Sequence, residues 1–325
     1  MNVSEAQATV PVMALTPVQE RTLVELMGSR AERPVFDPAL AGRLRDELEE
    51  RVTPAAAVLR EGEQLWMSKG SLAELHLRCE GLWLANRLEP EPFSYGMRLA
   101  VGKLVHGAVE LSVYAGSLSE AELVERSLSK LVRDDERYAE FVESLDEPER
   151  AELEGESVRQ TILFRSTFPP LQRAWTPSVE LSLKASLAEE RIVVSARPDL
   201  VLGSTDPEEP MRARRLILEL KSGTDRPEHD EDVRLYALVA TLRFGVPPFR
   251  VATVELESGT WRVQDVTEDL LLSAARRLAD GCLKASALLK GADPALRPGP
   301  WCGWCPRAQT CPSSSVRIPA VRPVA

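Results

Sequence analysis

Two neighbouring segments, Arg191–Gly203 (RIVVSARPDLVLG) and Arg214–Gly223 (RRLILELKSG), decide the fold of this 325-residue chain. Arg191–Ala196 and Leu200–Leu202 are short, β-branched and aliphatic, with Pro198 between them, so they read as two strand pieces around a bend. Between the segments, Ser204–Ala213 carries Asp206, Pro207, Glu208, Glu209 and Pro210 and reads as a surface loop. Leu216-Ile217-Leu218 then opens an apolar strand that ends in Glu219-Leu220-Lys221. Side chains alternate along a strand, so Glu219 and Lys221 share one face and Leu220 takes the other. A carboxylate beside an amine at the end of a buried strand suits ligation of a hard cation and positioning of an attacking water. Asp199 is the natural second carboxylate. Glu-x-Lys also occurs in many strands as a solvated pair, so the surrounding chain has to decide between the two readings.

Working outward, Thr176–Leu187 (TPSVELSLKASL) alternates as a strand and is expected to pair with Arg191–Ala196 as a hairpin. Asp230–Phe244 has the apolar spacing of an amphipathic helix. Arg250–Leu256 and Thr260–Val266 form strands about Glu257-Ser258-Gly259, and Thr267–Lys290 is a long last helix. Upstream, Thr16-Pro17-Val18-Gln19 starts a helix reaching Met27, and a second is expected from about Pro38 to Arg51. The stretch from Arg51 to Gly70 reads as irregular. Ser71-Leu72-Ala73-Glu74 is a capping box for a helix to Leu88, and another helix runs from Ser94 to Tyr114. The acidic region after Leu118 reads as one or two exposed helices inserted at 118–160. This order implies an α/β fold, a central mixed sheet flanked by helices. The expected organisation is a helical extension over 1–70, a main domain over 71–312 and a disordered tail over 313–325.

With 44% hydrophobic residues the chain can bury one large core or two smaller ones. No run approaches the roughly 18 apolar residues of a membrane span, and the start lacks the basic-then-apolar pattern of a secretory signal, so a cytoplasmic protein is expected. The five cysteines are then metal ligands or core residues rather than disulfides. A net charge of −10 excludes a general nucleic-acid coat. The acidity is concentrated between Glu120 and Glu156, while the C-terminal part is basic, which leaves room for a local track. No phosphate-loop motif is present, so any unwinding of duplex ends needs a separate helicase.

The tail PGPWCGWCPRAQTCPSS holds Cys302-x₂-Cys305-x₅-Cys311. Such spacing lets thiolates converge on one centre, zinc or an iron–sulfur cluster, either of which wants a fourth ligand. Cys282 is nearer but lies inside the last helix; Cys79 is distant.

Taken together, Pro198-Asp199, Glu219-x-Lys221 and Gly102-x₃-His106-x₃-Glu110 resemble the signature of the PD-(D/E)XK nuclease superfamily. Leu75–Glu80 resembles the "L-x-x-C-P" element of its cluster-bearing RecB/AddB-type members, with Glu80 where proline is usual. The chain is similar also to the nucleases of CRISPR spacer acquisition. The resemblance covers about Ser71 to Pro312 and implies a restriction-endonuclease-like core. It implies Mg²⁺ or Mn²⁺ held by His106, Asp199 and Glu219, with Lys221 orienting water, Tyr236 bracing Lys221 or contacting the strand, and Glu180 as a further carboxylate. It also implies a [4Fe-4S] cluster on Cys79, Cys302, Cys305 and Cys311. The activity implied is a metal-dependent deoxyribonuclease acting on single strands or DNA ends in repair, recombination or defence, beside a helicase or recombination partner. Three departures stand out: Asp232 occupies the Gln position of the family's "Q-x-x-x-Y", Arg197 stands where a small residue is common, and the region between His106 and Asp199 is long, with the two N-terminal helices outside the match. The alternative is a subunit that keeps the fold and binds DNA or assembles without cleaving.

Overall fold

The computed structural model describes residues 14–316, apart from 91–92, 224–225 and 227. Most of the expected disordered tail, 317–325, and the first thirteen residues lie outside the described residues. Helix α1 (Pro17–Met27) starts as its sequence announces. The Thr16 hydroxyl accepts from the Gln19 N–H, and the Gln19 side chain accepts from the Thr16 N–H. Helix α2 (Leu40–Ala56) continues past Arg51, because Val52, Ala55 and Ala56 extend the buried stripe of Leu40, Leu44 and Leu48. The stretch expected to be irregular also contains a strand, β1 (Leu65–Met67).

The single helix expected from Ser71 to Leu88 is two, α3 (Lys69–His76) and α4 (Glu80–Leu88). Ser68 is the cap, its hydroxyl accepting from Ser71 N–H at 3.3 Å. The N–H groups of Leu77 and Arg78 both fold back onto the Ala73 carbonyl, at 2.9 and 2.8 Å, and close α3. The break leaves Cys79 as the first residue of a new helix start rather than a point on a helix face.

Helix α5 (Met97–Tyr114) precedes three acidic helices, α6 (Glu120–Asp134), α7 (Glu136–Ser144) and α8 (Glu147–Thr167). They are not simply exposed. Leu123, Val124, Leu128, Leu131, Tyr138 and Leu153 are buried in one cluster with Ala100, Leu104 and Val105 of α5. The Tyr138 hydroxyl donates to the Ala100 carbonyl at 3.1 Å. The acidic helices therefore pack on the helix that carries His106.

The strands follow: β2 (Ser178–Val179), β3 (Leu183–Leu187), β4 (Ile192–Ala196), β5 (Leu200–Leu202) and β6 (Leu216–Lys221). Helix α9 (Glu228–Phe244) crosses from β6 to β7 (Arg250–Glu255), β8 (Thr260–Asp265) pairs back, and α10 (Glu268–Leu289) closes the order. Among the described residues no helix is long and apolar enough to cross a membrane.

The strands form two mixed sheets, where one is expected: a three-stranded one in the order β1-β4-β3 and a five-stranded one in the order β2-β5-β6-β7-β8. The expected hairpin is real over Leu183–Ala196, where β3 and β4 pair antiparallel. Its far end bends away, so that β2 and β5 pair in the second sheet. The bend falls at Glu180, whose φ is +49°, and at Pro198, which cannot donate to a ladder. Glu180 N–H donates to the Asp199 carbonyl at 3.0 Å and holds the two arms together there.

Alternation in β6 then sets the site. Leu216, Leu218 and Leu220 pack with α5–α8, while Ile217 packs with α2, α9 and α10 in the other core. Glu219 and Lys221 share the face of Ile217. β6 and β7 run parallel, and the crossover helix such a pair requires, α9, brings Asp232 and Tyr236 over that face.

Candidate active site

Asp199 sits at the bend, just before β5, with its carboxylate held from both sides. Its Oδ2 accepts from Leu220 N–H at 2.6 Å, and its Oδ1 lies 3.2 Å from His106 Nδ1. His106 belongs to α5, far upstream in sequence; packing of α5 on the end of β6 unites them. Burial opposes charge on Asp199, but the His106 ring, the Leu220 N–H and the Lys69 ammonium outweigh it and push its pKa down to about 2. Burial likewise works against the imidazolium, and the Asp199 charge overcomes it, so the His106 pKa lies above its ordinary value.

Glu180 joins this pair. One ligand atom from each of His106, Glu180 and Asp199 falls within 4.8 Å of the others. Burial and the neighbouring Asp199 charge raise the Glu180 pKa, even though its carboxylate pairs with Arg197 at 2.6 Å. The Arg197 departure thus has a position: it pairs with Glu180, the further carboxylate.

Glu219 is 1% exposed and stands beside this trio rather than within it. Its Oε1 takes two ammoniums, Lys69 and, at 2.9 Å, Lys221. Its Oε2 is buried without a hydrogen-bond partner among the described residues. Burial, with the Asp199 charge added, raises the Glu219 pKa. Lys221 is clamped, reaching Asp232 Oδ2 at 2.8 Å as well as Glu219. The acid at the Gln position is therefore the second anchor of the motif lysine. Tyr236 is 1% exposed, with the Lys69 ammonium 5.4 Å from its ring centroid. Burial, the Glu219, Asp199 and Asp232 charges and the approach of its hydroxyl to the Glu219 carboxylate raise its pKa. So placed, Tyr236 lies on the buried side of the carboxylate–lysine cluster.

A divalent cation fits these residues. A hard ion takes carboxylate oxygens and tolerates an imidazole, and a buried carboxylate oxygen without a partner is costly unless something satisfies it. The trio of His106, Glu180 and Asp199 with Glu219 Oε2 beside it provides that donor set. The site opens into two grooves of about 260 and 310 Å³, one past Lys69, Arg98 and Arg226, the other past Lys103, Lys130 and Arg197. Cations line both in an otherwise acidic protein.

Four of the cysteines gather at a second place. Cys79, Cys302, Cys305 and Cys311 line one cavity of about 380 Å³, although most of the chain separates the first from the rest. Cys79 Sγ accepts from Arg297 N–H at 3.5 Å, so the chain approaching the tail is fixed on the α3–α4 break. A Cβ built on Gly81 would lie 2.6 Å from Leu296 Cδ2 and 3.4 Å from Cys79 Sγ, so a larger residue there would push the Leu296 side chain aside. Burial pushes the Cys305 thiol up, and Cys79, Cys311 and Cys302 are all near enough to add to that shift. Cys282 lies apart, fully buried in α10 among apolar neighbours that push its pKa up to about 12. Four convergent free thiols fit a four-cysteine centre.

Lys69 is the residue that sequence reasoning misses. It lies in the stretch read as irregular, outside every motif, and only the Ser68 cap marks the helix start that aims it at Glu219. The family model of the PD-(D/E)XK nuclease superfamily matches residues 70–312 of the chain. Among curated proteins no match is found.

Proposed function

The chain belongs to the PD-(D/E)XK nuclease superfamily, and from that premise we propose that it is a divalent-metal-dependent deoxyribonuclease acting on single strands or DNA ends. The observation that carries the reading is one point of convergence: His106, Glu180 and Asp199 within 4.8 Å, next to the unpartnered Glu219 oxygen and the Lys221 ammonium. His106, Asp199 and Glu180, with Glu219, would hold Mg²⁺ or Mn²⁺. When bound, the ion acidifies its water and neutralises phosphate charge.

The remaining work belongs to the chain. Lys221, fixed between Glu219 and Asp232, offers its remaining N–H to orient the attacking water. The Leu220 N–H and His106 hold Asp199 as a carboxylate so that it stays a ligand. Water adds to phosphorus, the bond to the leaving sugar oxygen breaks, and that oxygen takes up a proton. Cations lining the two grooves offer the strand a path on either side of the site. The four cysteines would hold a [4Fe-4S] cluster that ties the start of the domain to its end. Repair, recombination or defence beside a helicase suits an end-processing enzyme.

End-labelled single-stranded and duplex DNA, incubated with the anaerobically purified protein in Mn²⁺ or EDTA, tests the reading. Metal-dependent loss of the labelled strand is the expected result, with the product ladder giving the mode of attack. Full-length DNA under every metal condition would leave the alternative, a binding subunit that keeps the fold without cleaving.

A further inference from the structure

Two ammoniums meet one oxygen of Glu219, and they differ in what they have left to offer. Lys221 contacts two carboxylates, Glu219 at 2.9 Å and Asp232 at 2.8 Å, and its side chain is 15% exposed. Lys69 touches only Glu219 among the described carboxylates, and its side chain is 38% exposed. A lysine carries three N–H donors. Lys221 thus has one free and faces inward, while Lys69 has two free and faces solvent.

The direction of Lys69 is fixed. It occupies the first position of α3, behind the Ser68 cap, with its ammonium over the Tyr236 ring. It lines the groove of about 260 Å³ together with His106, Lys221 and Arg98. A phosphodiester entering there brings negative charge towards Glu180, Asp199, Glu219 and Asp232, and Lys221 is already paired with the last two. An accessible cation at the mouth is what such an approach requires.

Building on the nuclease reading, we propose that Lys69 is a second active-site lysine that holds a non-bridging oxygen of the scissile phosphate. Lys221 is the fixed partner of Glu219 and Asp232. Lys69 keeps one N–H on Glu219 and gives the others to the substrate, tying the position of the phosphate to that of the carboxylate. No bond is made or broken by Lys69; it stabilises charge that grows on the phosphoryl oxygens as water adds.

The test uses Lys69→Met, which removes the charge, Lys69→Gln, which keeps a donor for Glu219, and Lys69→Arg, which keeps the charge. Binding of a fluorescein-labelled single-stranded oligonucleotide in Ca²⁺ is measured beside single-turnover cleavage in Mn²⁺, with thermal melts for each variant. Without the ammonium on the phosphate, binding should weaken roughly tenfold and cleavage slow by about 100-fold or more in Lys69→Met and Lys69→Gln, with Lys69→Arg keeping most of the binding. Lys69→Gln covers the case in which Lys69→Met does not fold. Wild-type binding by folded Lys69→Gln would overturn the proposal, and so would a lowered melting temperature with unchanged cleavage, the mark of a purely structural counter-ion. If wild type binds but never cleaves, the nuclease reading fails, while weaker binding by the variants still supports the phosphate contact. If wild type binds no oligonucleotide, both fail.

Discussion

Gly102→Ala should slow cleavage without harming the fold, and the reason lies in how closely α5 approaches the end of β6. A Cβ built on Gly102 would lie 2.4 Å from Ser222 Oγ and 3.4 Å from Ser222 Cβ. Ser222 follows Lys221 directly, and Gly102 lies one helical turn before His106, on the same face of α5. Ordinary contact needs roughly 3.4 Å or more, so α5 or Ser222 has to give by about 1 Å. The His106 Nδ1–Asp199 Oδ1 distance of 3.2 Å is already long, and a shift of that size would open it. Displacements near 1 Å can cost about 100-fold in rate, so a loss of roughly 10- to 100-fold is expected. The clash works against the helix preference for alanine over glycine of about 1 kcal/mol, so stability should change by no more than about 1–2 kcal/mol either way. Single-turnover cleavage and thermal melts of Gly102→Ala, Ser222→Ala and the double variant give the measurement. The double variant should regain most of the rate, because the clash with Oγ is gone. A wild-type rate in Gly102→Ala, or no recovery in the double variant, would refute the steric argument.

Cys79→Ser should remove the visible absorbance of anaerobically purified protein and lower its denaturant midpoint, while Cys282→Ala should leave the absorbance intact. A link from Cys79 to the tail closes a loop of roughly 220 residues, worth up to about 5 kcal/mol in chain entropy. Metal-free stability should fall as pH rises above the ordinary Glu and His values, about 4.3 and 6.5. Glu180, Glu219 and His106 all have raised values in the fold, so their contributions are complete below their unfolded values and lost as pH climbs through the folded ones. Asp199, at about 2, has the opposite sign, and its share is lost only as pH drops below roughly 4 towards that value. Mn²⁺ favours the deprotonated ligands, so its stabilising effect should grow over the same range, which melting curves with and without EDTA will show. Arg98 and Lys103 line the grooves, and alanine at both should lower the salt slope of single-strand binding by about 1.4, roughly 0.7 for each phosphate no longer neutralised.

The parts of this site that depend on local pattern were legible in the sequence. Alternation in Leu216–Lys221 put Glu219 and Lys221 on one face, Pro198 marked the bend at Asp199, and the glycine–histidine spacing marked the helix bearing His106. The Thr16 capping box gave its helix start correctly. What escaped depends on tertiary contact. Lys69 reads as an ordinary surface lysine until α3 aims it at Glu219, and Asp232 reads as a departure until Lys221 is found against it. The break at Leu77–Cys79 contains neither proline nor glycine, and it exists because two N–H groups share the Ala73 carbonyl. The hairpin pattern showed which strands pair, but not that Glu180, at a positive φ, would turn their far ends into another sheet. In the acidic helices a signal was present and overlooked: Leu123, Val124, Leu128 and Leu131 recur at helical spacing behind the charge.

If Asp199, Glu219 and Lys221 form one hydrolytic centre, the cleavage rate has to depend on Lys221. Single-turnover cleavage of an end-labelled single strand in Mn²⁺ is measured for wild type and Lys221→Ala, with circular dichroism establishing that both are folded. Wild type should cleave in a reaction that EDTA abolishes, and Lys221→Ala should be at least about 100-fold slower, since the lysine that orients the water and anchors Glu219 is gone. Equal rates for the two proteins, or wild-type cleavage that persists in EDTA, would contradict it.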